Sequence, residues 1–351
     1  MRSAWARRSP PATPRCGRAW LSPRQFRLDA ELGLDRPPFA EVLVGREGGA
    51  RLRFDRHGLN NDDAAWDRPG PRVAILGDSF VEAVEVPRAE NAVARLGAAL
   101  PGATVLNLGR AAATPPQAVA LLRRLAARGE RFDLVVLALS DNDPGDMAAS
   151  AVGPGCAVAA HPPGLRRRVT AAVVQESPLL MRLQSRVREW GADLRWPSPG
   201  PAVAAAAPAP VPVAPEDLAV AAADGPLVAR TAECVRALAG IGPLALLVMP
   251  GGDLPRAPER LERGRQRLAL YRAVAEAAEV PWLIDAWSAF GADPLGDRRM
   301  VNGFANHVLG AGHLNPAGHA LLVEILAREV PPLLEAARGG GPRHVAGVAA
   351  P

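Results

Sequence analysis

The chain has 351 residues, of which 48% are apolar, and this is enough to bury a large core. Its formal charge is +5, and all 41 basic residues are arginines spread along the chain. Aromatic residues make up 4% of the sequence. Because nucleic-acid binding needs a concentrated basic surface and usually aromatic stacking platforms, this composition argues against a nucleic-acid partner.

Residues 1–70 predict an irregular N-terminal extension punctuated by proline. The stretch before Arg27 is rich in arginine and proline and has no continuous apolar run of the kind found in a signal peptide or membrane span. As written, the sequence predicts a cytoplasmic protein. Export or membrane association is expected only if the natural start lies elsewhere, so the compartment is left open, as is the oligomeric state.

Residues 71–338 predict one domain in which short apolar strands alternate with helices. Strands are predicted at 73–76, 103–108, 134–139, 243–249 and 281–286. Helices are predicted at 88–100, 116–128, 258–278 and from 316 to about 330, where two prolines should end the last helix. This alternation is typical of an α/β fold with a three-layer open parallel sheet.

Two segments break this pattern. Residues 144–225 predict a partly disordered insertion, with a helical piece at 177–190 and an Ala, Pro and Val-rich stretch at 197–215. The glycine-rich tail at 339–351 also predicts disorder. The three cysteines, Cys16, Cys156 and Cys234, are odd in number and fit no metal-ligand spacing, so they are expected to be incidental thiols.

Polar residues follow the predicted strands at one edge of the sheet. The first strand leads into Gly77-Asp78-Ser79-Phe80, the second ends in Asn107-Leu108-Gly109, and the third leads into Ser140-Asp141-Asn142-Asp143. Gly312-His313-Leu314-Asn315-Pro316 opens the last helix. Because ligands bind beyond the carboxyl ends of parallel strands, these four blocks predict a site with the groups needed for acyl transfer.

With these four blocks in order, the chain resembles the GDSL or SGNH hydrolases over about 72–143 and 244–330. The resemblance implies a flavodoxin-like sheet and a serine esterase without cofactor or metal. It implies that Ser79 is the nucleophile, that His313 is its general base, and that Asn142 donates to the oxyanion. Backbone donors are expected from Ser79, from Ala112, which stands where the family often has glycine, and from the turn at Gly109.

The chain departs from the family pattern just before the histidine. The family usually has an aspartate two or three residues earlier, which orients the ring, but here those positions are Gly310 and Ala311. A backbone carbonyl could hold the ring and give a Ser-His dyad, or an acid could come from elsewhere, with Asp285 and Asp297 as candidates. Since losing the acid of a triad can cost about 10⁴ in turnover, a weak enzyme is expected.

The predicted substrate is a small-molecule or glycan ester with an acyl or acetyl group, on carbohydrate or lipid. The alternatives are acyl transfer to a carbohydrate hydroxyl, and a catalytically degenerate binding protein of the same fold. Three residues also have plainer readings: Ser79 as the N-cap of a helix, Asn142 as a turn residue, and His319 as a packing residue. The carboxylates at 141, 143 and 146 do not match a calcium loop, so no metal is predicted.

Overall fold

The computed structural model describes residues 27–45, 47–150, 152–158, 225–251, 258–292, 301–307, 309–310 and 312–339. The helix predicted at 177–190, the Ala, Pro and Val-rich stretch and the tail after Gly339 lie outside these residues. So do Cys16 and Asp297. The division into an extension, one domain and an insertion stays a prediction.

Two antiparallel hairpins lie in the segment for which irregular structure was predicted. They consist of β1 (Arg27–Asp29) with β2 (Gly33–Asp35), and β3 (Glu41–Val44) with β4 (Ala50–Arg53). Val42 pairs with Leu52, and both side chains are buried beside Phe54. Each strand has only three or four residues, so its alternation of apolar and polar positions is too short to recognise in the sequence.

The central sheet has five parallel strands and confirms the predicted fold class. Its strands are β5 (Arg72–Gly77), β6 (Thr104–Gly109), β7 (Leu134–Leu139), β10 (Leu244–Val248) and β11 (Trp282–Asp285), in the order β11-β10-β7-β5-β6. A small antiparallel pair, β8 (Val152–Gly153) and β9 (Ala157–Val158), stands apart from it. Counted from the first strand of the sheet, the order is 2-1-3-4-5, which is the flavodoxin-like arrangement.

Helices cover both faces of the sheet. Along β5, Ala74 and Leu76 belong to one apolar cluster and Val73 and Ile75 to the other, as expected for a strand buried on both sides. The described helices are α1 (Ser79–Glu82), α2 (Ala92–Ala99), α3 (Pro115–Ala127), α4 (Asp143–Ala149), α5 (Gly225–Ala239), α6 (Pro258–Ala277), α7 (Ala286–Ala292) and α8 (Pro316–Arg338). Side chains of α3, α5 and α6 pack on one face and those of α2 and α8 on the other, while α7 contributes Trp287 to the first cluster and Ala286 and Phe290 to the second.

Helix α8 is longer than predicted. It was expected to stop before Pro331, but it continues through Pro331 and Pro332 to Arg338. Val330 and Leu334 are buried in the cluster beneath the sheet, and burying such side chains contributes about 1.5–3 kcal/mol each. This packing offsets much of the cost that Pro331 and Pro332 impose inside the helix, which is about 3 kcal/mol for each proline.

The expectation of incidental thiols is wrong for two of the three cysteines. Cys156, in the turn between β8 and β9, forms a disulfide with Cys234 of α5, with their Cα atoms 4.8 Å apart. Both are fully buried. The pairing joins residues 78 positions apart, which no local sequence pattern reveals. Among the described helices, none has the length and apolarity needed to cross a membrane.

Candidate active site

The turn from β5 to α1 presents Ser79 at the carboxyl edge of the sheet. Asp78 is the N-cap of α1, and its side chain accepts a hydrogen bond of 2.9 Å from the N–H of Phe80. Ser79 is therefore the first helical residue and not the cap. A Cβ on Gly77 would lie 2.4 Å from a methyl group of Val81, so glycine is needed for this tight turn.

Ser79 and His313 meet directly. Nε2 of His313 lies 2.9 Å from Oγ of Ser79, although the residues are 234 positions apart. The loop before α8 carries His313, and Asn315 caps that helix by accepting from the N–H groups of Ala317 and Gly318. The carbonyl of His313 also accepts from the N–H of Gly303. The imidazole is thus within reach of the serine proton, the first requirement for a general base.

Two glutamates stand on the other side of the imidazole. Nδ1 of His313 lies 3.0 Å from Oε2 of Glu47 and 3.4 Å from Oε1 of Glu85. Glu47 comes from the connection between β3 and β4, and its other oxygen accepts a hydrogen bond of 2.7 Å from the backbone N–H of His313. Within the described residues Nδ1 makes no well-aligned hydrogen bond, so Glu47 acts on the ring as a close ion pair.

Asp285 and Asp297, the two acids suggested by the sequence, are not seen beside His313. Asp285 lies at the end of β11 and accepts hydrogen bonds from the N–H and hydroxyl of Ser288, at 2.9 and 2.7 Å. Asp297 lies outside the described residues. The carboxyl groups that face the ring are those of Glu47, in the hairpin of β3 and β4, and Glu85, in the segment after α1. The family pattern predicts no acid at either place.

The charges of this cluster depend on one another. Burial alone lowers the pKa of His313, but the carboxylates of Glu47 and Glu85 outweigh it and raise the pKa above its ordinary value. Burial raises the pKa of Glu47, yet its contacts with His313 bring it below the usual range. Burial raises the pKa of Glu85 to about 7. At neutral pH, Glu47 is therefore the charged carboxylate and Glu85 is partly protonated.

The loop after β6 provides a backbone donor at Ala112. Its φ of 56° lies in the left-handed region, which alanine adopts here although glycine is favoured. The N–H of Ala111 donates to Oε2 of Glu82, and that of Ala113 donates to the carbonyl of Arg110. Within the described residues, the N–H of Ala112 has no acceptor in the protein, as expected of a group that binds an oxyanion.

Gly109 has a different role from the one predicted. Its N–H donates to Oδ1 of Asn107 at 2.8 Å, so it is already used inside the protein. A Cβ at this position would lie 2.2 Å from the backbone nitrogen of Glu82. Gly109 therefore allows the end of β6 to pack against α1, and the structure places it in the support of the nucleophile turn instead of the oxyanion pocket.

Asn142 lies next to the nucleophile turn, at the start of α4. Its amide nitrogen is 3.3 Å from Oδ2 of Asp78 and 2.9 Å from Oδ2 of Asp146, while its oxygen accepts from the hydroxyl of Ser140 at 2.6 Å. Burial raises the pKa of Asp78. The hydroxyl of Tyr271 on α6 donates to the carbonyl of Ser140 at 2.8 Å and so fixes the turn that carries Asn142.

Several supporting residues could not be found from the sequence. Asn107 donates to the carbonyl of Val81 at 2.6 Å, and Asn61 exchanges two hydrogen bonds with the backbone of Asn107, at 2.7 and 2.9 Å. Arg36 donates to Oε1 of the buried Glu82 at 2.5 Å. These contacts tie the N-terminal segment to the nucleophile turn. The sequence carries no signal for them, because buried polar networks follow from tertiary packing and have no period.

Glu47, Glu85 and His313 also have the spacing of a possible cation site. One atom from each, two carboxylate oxygens and a ring nitrogen, lie within 4.8 Å of one another. Exposed acidic groups are common without a metal, although Glu85 is buried, and here the ring nitrogen has an ion-pair partner at 3.0 Å. The absence of a metal therefore stays a prediction. His319 is confirmed as a packing residue: it is buried, and burial lowers its pKa to about 3.

Comparisons with known proteins give structural matches only. No protein-family profile and no curated protein matches the sequence. Similar solved structures include a member of the lipolytic protein G-D-S-L family from Veillonella parvula, with 12% identity, 74% of this chain and 97% of that chain covered, and a TM-score of 0.42. A protein called TesA shows 18% identity, coverage of 75% and 99%, and a TM-score of 0.39.

A third similar structure is a catalytic mutant of Axe2, an acetylxylan esterase from Geobacillus stearothermophilus. It shows 15% identity, covers 75% of this chain and 96% of that chain, and has a TM-score of 0.36. The structure from Veillonella parvula carries the name of the family that the sequence motifs resemble. At TM-scores below 0.5, the fold and the site stand on their own geometry, and no activity follows from these similarities.

Proposed function

We propose that this chain is a serine ester hydrolase that acts on acyl or acetyl esters through a covalent acyl-enzyme. The observation that carries the proposal is the contact of 2.9 Å between Oγ of Ser79 and Nε2 of His313. A serine hydroxyl is a poor nucleophile until a neighbouring base takes its proton, and an imidazole at hydrogen-bond distance is that base.

The reaction follows from this geometry in two halves. Oγ of Ser79 attacks the carbonyl carbon of the ester as its proton passes to Nε2 of His313. The tetrahedral intermediate collapses, the bond to the alcohol oxygen breaks, and His313 returns the proton to the leaving alcohol. Water then attacks the acyl-enzyme with His313 again as base, which releases the acid and restores Ser79.

Negative charge on the carbonyl oxygen requires fixed donors. The N–H of Ser79 and the N–H of Ala112 supply two backbone donors, neither with an acceptor among the described residues. The side-chain amide of Asn142 supplies the third. Donors fixed in advance stabilise the transition state because they need no reorganisation as charge develops.

Labelling with a fluorophosphonate probe tests the nucleophile. We expect the probe to modify Ser79, with labelling lost in Ser79→Ala and strongly reduced in His313→Ala. Hydrolysis of a panel of short p-nitrophenyl esters should follow the same order. The matched controls are Ser288→Ala, a hydroxyl already bonded to Asp285, and His307→Ala, an exposed histidine of a neighbouring loop, and both should keep labelling and turnover.

Two outcomes would change the proposal. If the folded protein takes no label and hydrolyses no ester of the panel, a binding protein with this fold becomes the better account. Products should also be measured with and without a sugar acceptor, because acyl transfer to a carbohydrate hydroxyl uses the same acyl-enzyme. A new sugar ester in place of the free acid would assign the chain to the acyltransferases.

A further inference from the structure

The chain has no acid two or three residues before His313, where the family pattern usually has one. Two carboxyl groups nevertheless lie beside Nδ1 of His313, the nitrogen that such an acid would contact. Positions 310 and 311 are glycine and alanine, so neither can hold the ring. Glu47 and Glu85 both approach Nδ1 of His313, the nitrogen that faces away from Ser79. In a triad, the acid holds the imidazole in the correct tautomer and stabilises the imidazolium that forms.

We propose that Glu47, delivered by the connection between β3 and β4, is the positioning residue that replaces the missing acid of His313. The inference rests on the proposed function of Ser79 and His313. It adds that the N-terminal hairpin, outside the sheet, completes the site.

The contacts favour Glu47 over Glu85. Glu47 uses both oxygens on His313, one with the backbone N–H at 2.7 Å and one with Nδ1 at 3.0 Å, so it fixes both the loop and the ring. Glu85 approaches Nδ1 only at 3.4 Å, and its other oxygen has no hydrogen-bond partner among the described residues. Glu85 also has the raised pKa of a buried carboxyl, whereas the pKa of Glu47 is lowered.

The hairpin is fitted closely to the site. The N–H of Gly48 donates to Oδ1 of Asn306 at 3.0 Å, and the carbonyl of Gly48 accepts from the amide of Asn306 at 2.5 Å. Gly49 donates to the carbonyl of Glu85 at 3.0 Å. A Cβ on Gly48 would lie 2.1 Å from that carbonyl oxygen, and one on Gly312 would lie 2.2 Å from Oε1 of Glu47. Glycine at these two positions leaves room for the backbone of Glu85 and for the side chain of Glu47.

The test compares Glu47→Gln with Glu85→Gln in ester hydrolysis across pH. His313 must be neutral to take the serine proton, so activity rises with pH through its pKa. The charges that face the ring come from Glu47, Glu85 and Asp78, and each raises that pKa. Glu47→Gln should lower kcat by about 10²- to 10⁴-fold and move the rise in activity to lower pH. Glu85→Gln should lower kcat less than Glu47→Gln does at neutral pH, since its oxygen lies farther from Nδ1 and a neutral side chain replaces a partly protonated one.

A second readout does not depend on turnover. The ring pKa of His313, followed by NMR titration, should fall by about one unit in Glu47→Gln, since the nearest charge has been removed. A matched pair of glycine variants tests the hairpin itself. Gly48→Ala should reproduce the loss of activity and the fall in ring pKa, whereas Gly49→Ala, whose Cβ meets nothing within 4 Å, should change neither.

Four results would overturn the inference. The first is an unchanged ring pKa in folded Glu47→Gln. The second is loss of turnover in Glu85→Gln with Glu47→Gln unaffected, which would make Glu85 the acid. The third is a loss of activity on EDTA treatment that is reversed by adding Zn²⁺, which would show that Glu47, Glu85 and His313 bind a cation. The fourth is that Gly48→Ala and Gly49→Ala have the same activity and the same ring pKa of His313. If the parent protein is inert towards esters, the proposed function fails, while the NMR titration still decides the role of Glu47.

Discussion

The side-chain amide of Asn142 donates to two carboxylates at different distances. Its amide nitrogen lies 2.9 Å from the carboxylate of Asp146 and 3.3 Å from that of Asp78. The second contact is long, so it is the weaker of the two hydrogen bonds. In the proposed mechanism, an oxyanion beside Ser79 is a stronger acceptor and can take over that hydrogen bond.

Replacing Asn142 by alanine should therefore slow the chemistry and leave the fold intact. Loss of one oxyanion donor lowers kcat by about 10²- to 10³-fold in comparable acyl-transfer sites. Asn142 is exposed, so the unfolding midpoint should change little. The comparison is with Asp146→Ala, which removes the other partner of the amide and should keep most of the turnover. An unchanged kcat in Asn142→Ala would remove this residue from the site.

At the scale of the element, the contact between β6 and α1 decides where the nucleophile stands. Gly109 ends β6 so close to α1 that a Cβ would lie 2.2 Å from the nitrogen of Glu82 and 2.6 Å from the carbonyl carbon of Val81. Both are backbone atoms, which cannot turn aside as a side chain can. A larger residue would have to push α1, and Ser79 with it, away from the sheet.

Gly109→Ala should therefore lower both stability and turnover. The free energy of unfolding should fall by about 1–3 kcal/mol, which is the range measured for overpacked cores. Gly102→Ala is the matched control, because it lies just before the same strand and its Cβ would meet nothing within 4 Å. Denaturant unfolding and ester hydrolysis should be measured on both proteins. Equal midpoints for the two variants would contradict the close packing of β6 and α1.

The sheet could be predicted because it depends on local patterns, and the Ser79–His313 pair could be predicted because the blocks that follow the strands resemble those of a known family. Five apolar runs and the residues that follow them gave the strands and the edge at which ligands bind. Glu47 could not be predicted in this way, since it is 266 positions from His313 and lies in a hairpin with strands of four residues. The extension of α8 past Pro331 likewise depends on tertiary burial, which outweighs the local preference of proline.

At the scale of the whole molecule, the disulfide between Cys156 and Cys234 joins two segments that lie outside the central sheet. Cys156 follows helix α4, whose N-cap is Asn142, and Cys234 belongs to α5, which leads into β10. The bridge closes a loop of 78 positions. Closing a loop of this length removes conformations from the unfolded chain, and it therefore stabilises the fold even where the bridge makes few contacts of its own.

Removal of the bridge should lower the free energy of unfolding by about 4.5 kcal/mol, as the chain-entropy relation gives for a loop of this size. The double variant Cys156→Ser with Cys234→Ser should show this loss in denaturant unfolding of protein made under oxidising conditions. Cys16→Ser is the control, because it removes a cysteine that has no part in the bridge and should leave the unfolding midpoint unchanged. Thiol titration of the unfolded, unreduced protein should find only Cys16 reactive. Three reactive thiols, or a double variant as stable as the parent, would show that the bridge does not hold the fold.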